Sequence, residues 1–205
     1  MKRLLVENGV SAKAAKNALD KIQVKSYCTD KVTMPPFYSN RDIRWATWPQ
    51  SIQYASHFDC IMIELELMAE LFEFASAPGL KESLKNKVAD LRGRPIISNS
   101  LRCFVTGKLM DFNEYIDGAV NTNGGRSLYH VGHINPLTRG GKHAFTNIAW
   151  TSDDGNRIQG NDTLDEIEDK LVSAVIFHLE RDASSPTEAF HSKLTRLEDI
   201  INCLV

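Results

Sequence analysis

The sequence predicts an α+β fold in which a small β-loop-β-α core is embedded among flanking helices. Two strand-like segments, residues 130–134 and 145–151, lie between stretches with helical patterns. With 205 residues and 42% hydrophobic content, the chain can bury a full core. We expect a mainly helical region over residues 1–91, the β-loop-β-α core over residues 92–161, and C-terminal helices over residues 162–205.

The region before the core is predicted to be helical. Residues 11–23 open with a capping-type serine and are rich in Ala and Lys, which favours a helix. Residues 51–77 include a long segment rich in Met, Leu and Glu, which favours a buried helix and could also form a dimer interface. A further helix is expected over residues 80–91, and two more after the core, over residues 162–181 and 188–204.

The core itself is predicted from strand and turn signals. Valine, isoleucine and aromatic residues form the first strand, and Pro136 with Gly140-Gly141 ends it in a loop. The second strand returns beside the first. Ser152-Asp153-Asp154 can then accept hydrogen bonds from the free amides of a first helical turn, and Gly160 ends that short helix. In this arrangement the end of the first strand faces the helix across a cleft that can hold a divalent ion and a phosphate.

The residue types in this core suit phosphodiester hydrolysis. His133 has the side chain whose ordinary pKa best suits general-base work near neutral pH. Asn147 and Asn156 follow it by fourteen and twenty-three residues. One asparagine oxygen could bind Mg²⁺ or Mn²⁺, and the other asparagine could orient the histidine. Nearby cationic side chains could neutralise flanking phosphates; they are Arg139, Lys142 and Arg157.

Together these residues resemble the HNH, or ββα-metal, endonuclease motif. The resemblance covers residues 102–160 and includes Gly132-His133-Ile134-x-Pro136, Gly140-Gly141, Asn147-Ile148 and Asn156. It implies a ββα-metal (HNH) core in which His133 is the general base. By the same resemblance Asn147 supports the loop and the base, and Asn156 is a metal ligand. One divalent cation, Mg²⁺ or Mn²⁺, is expected in each active site.

Two departures from the family pattern matter for metal binding. Many members carry an aspartate ligand immediately before the base, where this chain has Gly132. His130 shares a strand face with that position, so we expect it to act as a substitute ligand or a phosphate contact. Many members also carry two Cys-x-x-Cys pairs. Here Cys103 has Thr106 where its partner would be, and residues 152–156 contain no cysteine, so we expect no structural zinc.

The arrangement resembles that of stand-alone type II restriction endonucleases, which implies double-stranded DNA as substrate and a homodimer. Two alternatives remain open: a less specific phage, mobile-element or defence nuclease, and a non-catalytic DNA-binding module. Aromatic and cationic residues of the 32–48 loop could contact DNA, or the aromatic ones could pack on the core. They are Phe37, Tyr38, Arg41, Arg44, Trp45 and Trp48.

Charge and cysteine usage agree with this interpretation. Although the net charge is −2, residues 92–150 carry seven Lys/Arg against three Asp/Glu, which gives the presumed site a basic surface. The four cysteines are scattered without framework spacing, as in a reducing bacterial cytoplasm. No apolar run reaches membrane-spanning length, so no membrane partner is expected.

Overall fold

The computed structural model describes residues 1–27, 55–120, 127–183 and 188–204. The predicted aromatic loop at 32–48 lies outside these residues. The chain divides into two compact units, Met1–Leu164 and Asp165–Val205. No helix of the described residues is both long and apolar enough to cross a membrane.

Two helices open the first unit. Helix α1 spans Lys2–Glu7, and α2 spans Ala12–Tyr27, four residues beyond the predicted end. Ser11 caps α2 because its hydroxyl accepts a hydrogen bond from the amide of Ala14 at 3.2 Å. The alanines of α2 present a buried stripe that packs against the helices that follow.

The next two helices are shorter than the sequence predicts. Helix α3 spans His57–Glu70 and begins with a capping box between Ser56 and Asp59. The chain then turns, and Phe74 enters the core as part of a non-helical segment. Helix α4 spans Glu82–Arg92. Arg92 is buried against two carboxylates of the α3 region, Glu66 and Glu73, so α4 is held to α3 by buried ion pairs.

Helix α5 spans Phe112–Val120, where no helix is predicted. Its start is set by Asp111, whose carboxylate accepts hydrogen bonds from the amides of Asn113 and Glu114 at 2.8 and 3.1 Å. The helix places Tyr115 in the core, where its hydroxyl donates to the carbonyl of Ala18 on α2 at 2.9 Å. Helices α2 and α5 therefore form one packed layer.

A two-stranded antiparallel hairpin lies on this helical layer. Strand β1 spans Tyr129–His133 and β2 spans Ile148–Ser152, and His133 pairs with Ile148. Residues 145–147, predicted as strand, instead form a short 3-10 turn before β2. The hairpin is anchored by Trp150, whose indole N–H donates to the carbonyl of Leu67 at 3.1 Å. Helices and a small antiparallel sheet in one chain confirm the predicted α+β class.

Helix α6 spans Asp153–Gln159 and follows β2 directly. Its first turn is capped by Ser152, whose hydroxyl accepts a hydrogen bond from the amide of Gly155 at 3.0 Å. The second unit contains most of α7, Leu164–Ala183, and all of α8, Glu188–Leu204. Within that unit, the carboxylate of Asp182 accepts a hydrogen bond from Lys193 at 3.0 Å.

Candidate active site

The loop between the two strands is held in shape by Asn147. Its amide nitrogen donates to the carbonyls of Asn135 and Lys142 at 2.9 and 2.8 Å. Its amide oxygen accepts from the backbone N–H of Asn135 at 2.7 Å. One side chain thus closes both ends of the loop and fixes the chain directly after β1.

Gly140 and Gly141 each need to be glycine, for two different physical reasons. Gly140 adopts a φ of +87°, a left-handed conformation that side chains with a Cβ rarely adopt. A Cβ on Gly141 would lie 2.0 Å from the carbonyl oxygen of Asn135 and 2.9 Å from the Asn147 amide nitrogen. The loop can pack this closely on Asn147 only because Gly141 has no side chain.

His133, the predicted general base, ends β1 and is half-buried. Its Nε2 lies 2.9 Å from Nδ1 of His143, and the two rings meet at 65°. His143 is buried, and its own Nε2 lies 2.9 Å from the carbonyl oxygen of Ser26 on α2. We did not predict His143 from the sequence. The signal that could have revealed it is a second histidine between the base and the loop asparagine.

Helix α6 is fixed to the end of β1 by Gln159. Its amide nitrogen donates to the carbonyls of His133 and Ile134 at 2.9 and 3.0 Å. Gln159 is buried, whereas Asn156, three residues earlier, is exposed. Asn156, the predicted metal ligand, therefore lies on a helix that Gln159 ties to the backbone of His133, the predicted base.

His130 lies on the same strand and contacts the start of α6. Its Nε2 is 3.1 Å from an oxygen of Asp153, and the other oxygen of that carboxylate lies 3.3 Å from Nε of Arg157. His130 and Arg157, predicted as a metal ligand and a phosphate contact, are thus brought together by Asp153. Asp153 was predicted only as a helix-capping residue, so its role as their shared partner was missed.

The other two predicted phosphate contacts lie on or near the loop. Arg139 is half-exposed; its Nε donates to the carbonyl of Asn161 at 3.3 Å, and its Nη2 lies 3.9 Å from the carboxylate of Asp162. Lys142 is exposed, and its carbonyl is one of the two that Asn147 holds. Both cations are therefore on the outer surface of the loop, where a phosphate backbone could reach them.

The two predicted metal ligands, Asn156 and His130, supply one amide oxygen and one imidazole. Among the described residues, no group of three His, Cys, Asp or Glu side chains could hold a metal ion. Mg²⁺ commonly keeps several waters and uses one or two protein ligands together with substrate phosphates. The side-chain oxygen of Asn135, next to the loop asparagine, is buried without a hydrogen-bond partner in the described structure. If Asn156 and His130 hold a divalent ion, phosphate and water would fill its remaining positions.

A hydrogen-bonded cluster lies at the positions where no structural zinc was expected, around Cys103 and residues 152–156. The sulfur of Cys103 is 3.2 Å from the Thr151 hydroxyl and 3.4 Å from the Ser152 hydroxyl, which in turn is 3.4 Å from the Thr106 hydroxyl. Burial opposes the thiolate, yet these hydrogen bonds outweigh it and lower the pKa of Cys103 to about 6. A Cβ on Gly155 would lie 2.5 Å from the sulfur, so this glycine allows α6 to approach. The cluster joins residues 103–106 to β2 and α6.

Comparison with known proteins identifies a solved structure of similar fold. No family model matches the sequence, and no curated protein matches it. Among solved structures, the chain is similar in fold to a type II restriction endonuclease seen by crystallography. The two share 17% identity with a TM-score of 0.57, over 85% of this chain and 84% of that one. The similarity extends over nearly the whole length of both chains, well beyond the hairpin and α6.

Proposed function

We propose that this chain is a metal-dependent DNA endonuclease of the HNH type that hydrolyses phosphodiester bonds. The observation that supports it best is the joining of three parts at the end of β1. His133 ends the strand, Asn147 braces the loop that follows, and Gln159 ties α6 to the same backbone. The fold shared with a type II restriction endonuclease agrees with the proposal.

In this proposal His133 takes a proton from the water that attacks phosphorus. A phosphorus–oxygen bond forms to that water, the ester bond to the leaving oxygen breaks, and the leaving oxygen gains a proton from solvent. A divalent ion, Mg²⁺ or Mn²⁺, would be held by Asn156 and His130 and would supply Lewis-acid stabilisation of the phosphate. Asn147 keeps the backbone next to His133 in place throughout.

Cationic side chains around the loop would hold the nucleic acid. Arg139 and Arg157 are half-exposed and Lys142 is exposed. The salt bridge between Arg157 and Asp153 would exchange for a phosphate contact at little cost, because exposed ion pairs contribute about 0–1 kcal/mol. Three such contacts would make binding clearly salt-dependent.

We further propose that the substrate is double-stranded DNA, cut at a specific site by a homodimer. One site cuts one strand, so two copies related by a twofold axis would cut both strands of a palindrome. Sedimentation analysis with and without a palindromic duplex tests the dimer, and we expect two copies of the chain on each duplex. A single copy bound to a duplex that is cut in both strands would contradict the homodimer.

Incubation with unmethylated phage-length DNA, in Mg²⁺, in Mn²⁺ and in EDTA, tests the activity. Discrete bands that appear only when metal is present support a site-specific restriction enzyme. A metal-dependent smear supports an endonuclease without site specificity, which is the result expected of a phage, mobile-element or defence nuclease. Binding without cleavage under any metal indicates a non-catalytic DNA-binding module, the outcome that Gly132 in place of an aspartate ligand would favour.

A further inference from the structure

We propose that one face of helix α7 joins two copies of this chain, with the α7 helices of the two copies packed antiparallel. The inference rests on the proposed homodimer and adds what that proposal leaves open, which is the part of the chain that forms the interface. Its evidence lies within the second unit, residues 165–205.

The middle of α7 exposes large apolar side chains. Every residue from 168 to 178 is exposed. Five large apolar side chains in this stretch are each 46–60% exposed; they are Leu171, Val172, Val175, Ile176 and Phe177. Contiguous exposed apolar groups of this kind mark an interaction surface. The middle of α7 is therefore a surface that a partner would cover.

The polar residues on one side of this apolar stretch are acidic. Residues 165, 168, 169, 172 and 176 recur at intervals of three and four, which places them on one face of the helix. We call them the α7 face: Asp165, Glu168 and Asp169 in its first half, and Val172 and Ile176 in its second. All five are exposed. The α7 face thus has an acidic half and an apolar half.

The other end of α7, where α8 lies beside it, has an excess of positive charge. The carboxylate of Asp182 accepts hydrogen bonds from Arg181 at 2.8 Å and from Lys193 at 3.0 Å. Arg196 is exposed, and it lines with Lys193 and Asp182 a groove of about 430 Å³ between α7 and α8. Helical periodicity places Glu180 on the opposite side of α7 from Asp182. The groove end of α7 and α8 therefore carries three cations and one carboxylate.

An antiparallel pair of α7 helices brings these unlike ends together. Because α7 spans Leu164–Ala183, a twofold axis at its centre places residue 169 opposite residue 178 of the second copy, and residue 165 opposite residue 182. The acidic half of each copy then meets the cationic end of the other. The apolar residues between 171 and 176 meet their own equivalents at the axis. A twofold axis repeats every contact, so each favourable contact occurs twice.

The acidic residues also decide between possible occupants of the α7 face. A lipid surface is a second way to cover an exposed apolar helix, but helices that lie on membranes have polar faces rich in cations, and anionic lipids repel carboxylates. Asp165, Glu168 and Asp169 adjoin the apolar residues and so oppose such contact. A second copy offers apolar surface together with cations, which matches both halves of the α7 face.

The test is sedimentation equilibrium of the full chain over about 1–100 μM, without DNA or metal. We expect the wild type to dimerise. Ile176→Ser should raise the dimer Kd at least roughly tenfold, because the lost apolar contact occurs twice. Ile61→Ser is the matched control, since Ile61 is 45% exposed on α3, in the segment that was predicted as a possible dimer interface. Its Kd should match that of the wild type.

A charge exchange tests the orientation of the two helices, and it still reports if Ile176→Ser fails to fold. Asp169→Lys and Arg196→Glu should each raise Kd at least roughly tenfold, because each places like charges together. The double variant should return to within about threefold of wild type. Asp199→Lys is the control: it reverses an exposed charge on the side of α8 away from the groove and should leave Kd unchanged.

A double variant that dimerises no more tightly than the single variants overturns the inference. So does an Ile176→Ser variant that dimerises like the wild type, or an Ile61→Ser variant that dissociates instead. A monomeric wild type also overturns it: binding to phosphatidylcholine vesicles would then assign the α7 face to lipid, and a lower Tm in Ile176→Ser would assign it to another part of the same chain. A dimer with the expected variants that cleaves no DNA with any metal refutes the proposed function and leaves the inference standing, whereas cleavage by a monomeric wild type does the reverse.

Discussion

Replacing Asn147 with aspartate changes one atom and removes two donors from the loop. The amide nitrogen that now donates to the carbonyls of Asn135 and Lys142 becomes a carboxylate oxygen facing both of them at under 3 Å. The bond accepted from the Asn135 amide can persist. Two lost hydrogen bonds contribute about 1 kcal/mol each, and repulsion adds to them, so we expect a loss of about 3 kcal/mol.

The assay is thermal unfolding followed by circular dichroism, together with cleavage. For a chain of this length 3 kcal/mol corresponds to about 6–12 °C in Tm. Cleavage should fall more than about 100-fold, because the loop directly follows the base. Asn113→Asp, the same change at an exposed position in the first turn of α5, should leave cleavage unchanged and should not lower Tm, because a negative charge is favourable at a helix N-terminus. An Asn147→Asp protein that melts within about 2 °C of wild type would refute the bracing role, whatever the activity.

Three further substitutions test other parts of the account. Gly141→Ala should lower Tm by several degrees, because its Cβ would overlap the Asn135 carbonyl at 2.0 Å, whereas Gly79→Ala meets nothing within 4 Å; equal melting temperatures contradict this. A Cβ on Gly132 would meet only ordinary contacts at 3.8 Å, so Gly132→Asp should lower the Mg²⁺ requirement for cleavage roughly tenfold relative to Gly132→Ala; an unchanged requirement argues against metal beside this position. Burial, and then the charge of Glu66, raise the pKa of Glu70 to about 8. The folded chain therefore keeps a proton on Glu70 that the unfolded chain loses, and stability falls as the pH rises from about 4.5 to 8. We expect the free energy of unfolding of Glu70→Gln, measured by urea and taken relative to wild type, to rise by at least about 1.4 kcal/mol from pH 5 to pH 8. A difference that stays constant with pH would contradict this.

Local signals predicted the hairpin and α6 well. The strands were placed within about three residues, because β-branched residues, Pro136 and the two glycines set them over short distances. The cap at Ser152 was predicted for the same reason, since it depends on an amide three residues away. The predicted strand at residues 145–147 became a 3-10 turn because Asn147 must lie beneath the loop it braces.

Contacts between distant segments could not be predicted. His143 meets Ser26 across 117 residues of sequence, and that contact depends on how α2 packs against the loop between the strands. Asp153 forms a pair with His130 only because the hairpin register brings the start of α6 beside that strand. Helix α5 was missed because its local signals are weak: it is short, it contains Gly118, and its start depends on the cap at Asp111. Packing of Tyr115 in the core stabilises this helix, and that packing cannot be inferred from the local sequence.

The most direct test of the central claim is His133→Ala, assayed for both cleavage and DNA binding in Mg²⁺. The account predicts that cleavage falls by about 10²- to 10⁴-fold while binding to the same duplex stays within a few-fold of wild type. Cleavage at the wild-type rate by a folded His133→Ala protein would contradict the assignment of His133 as the general base.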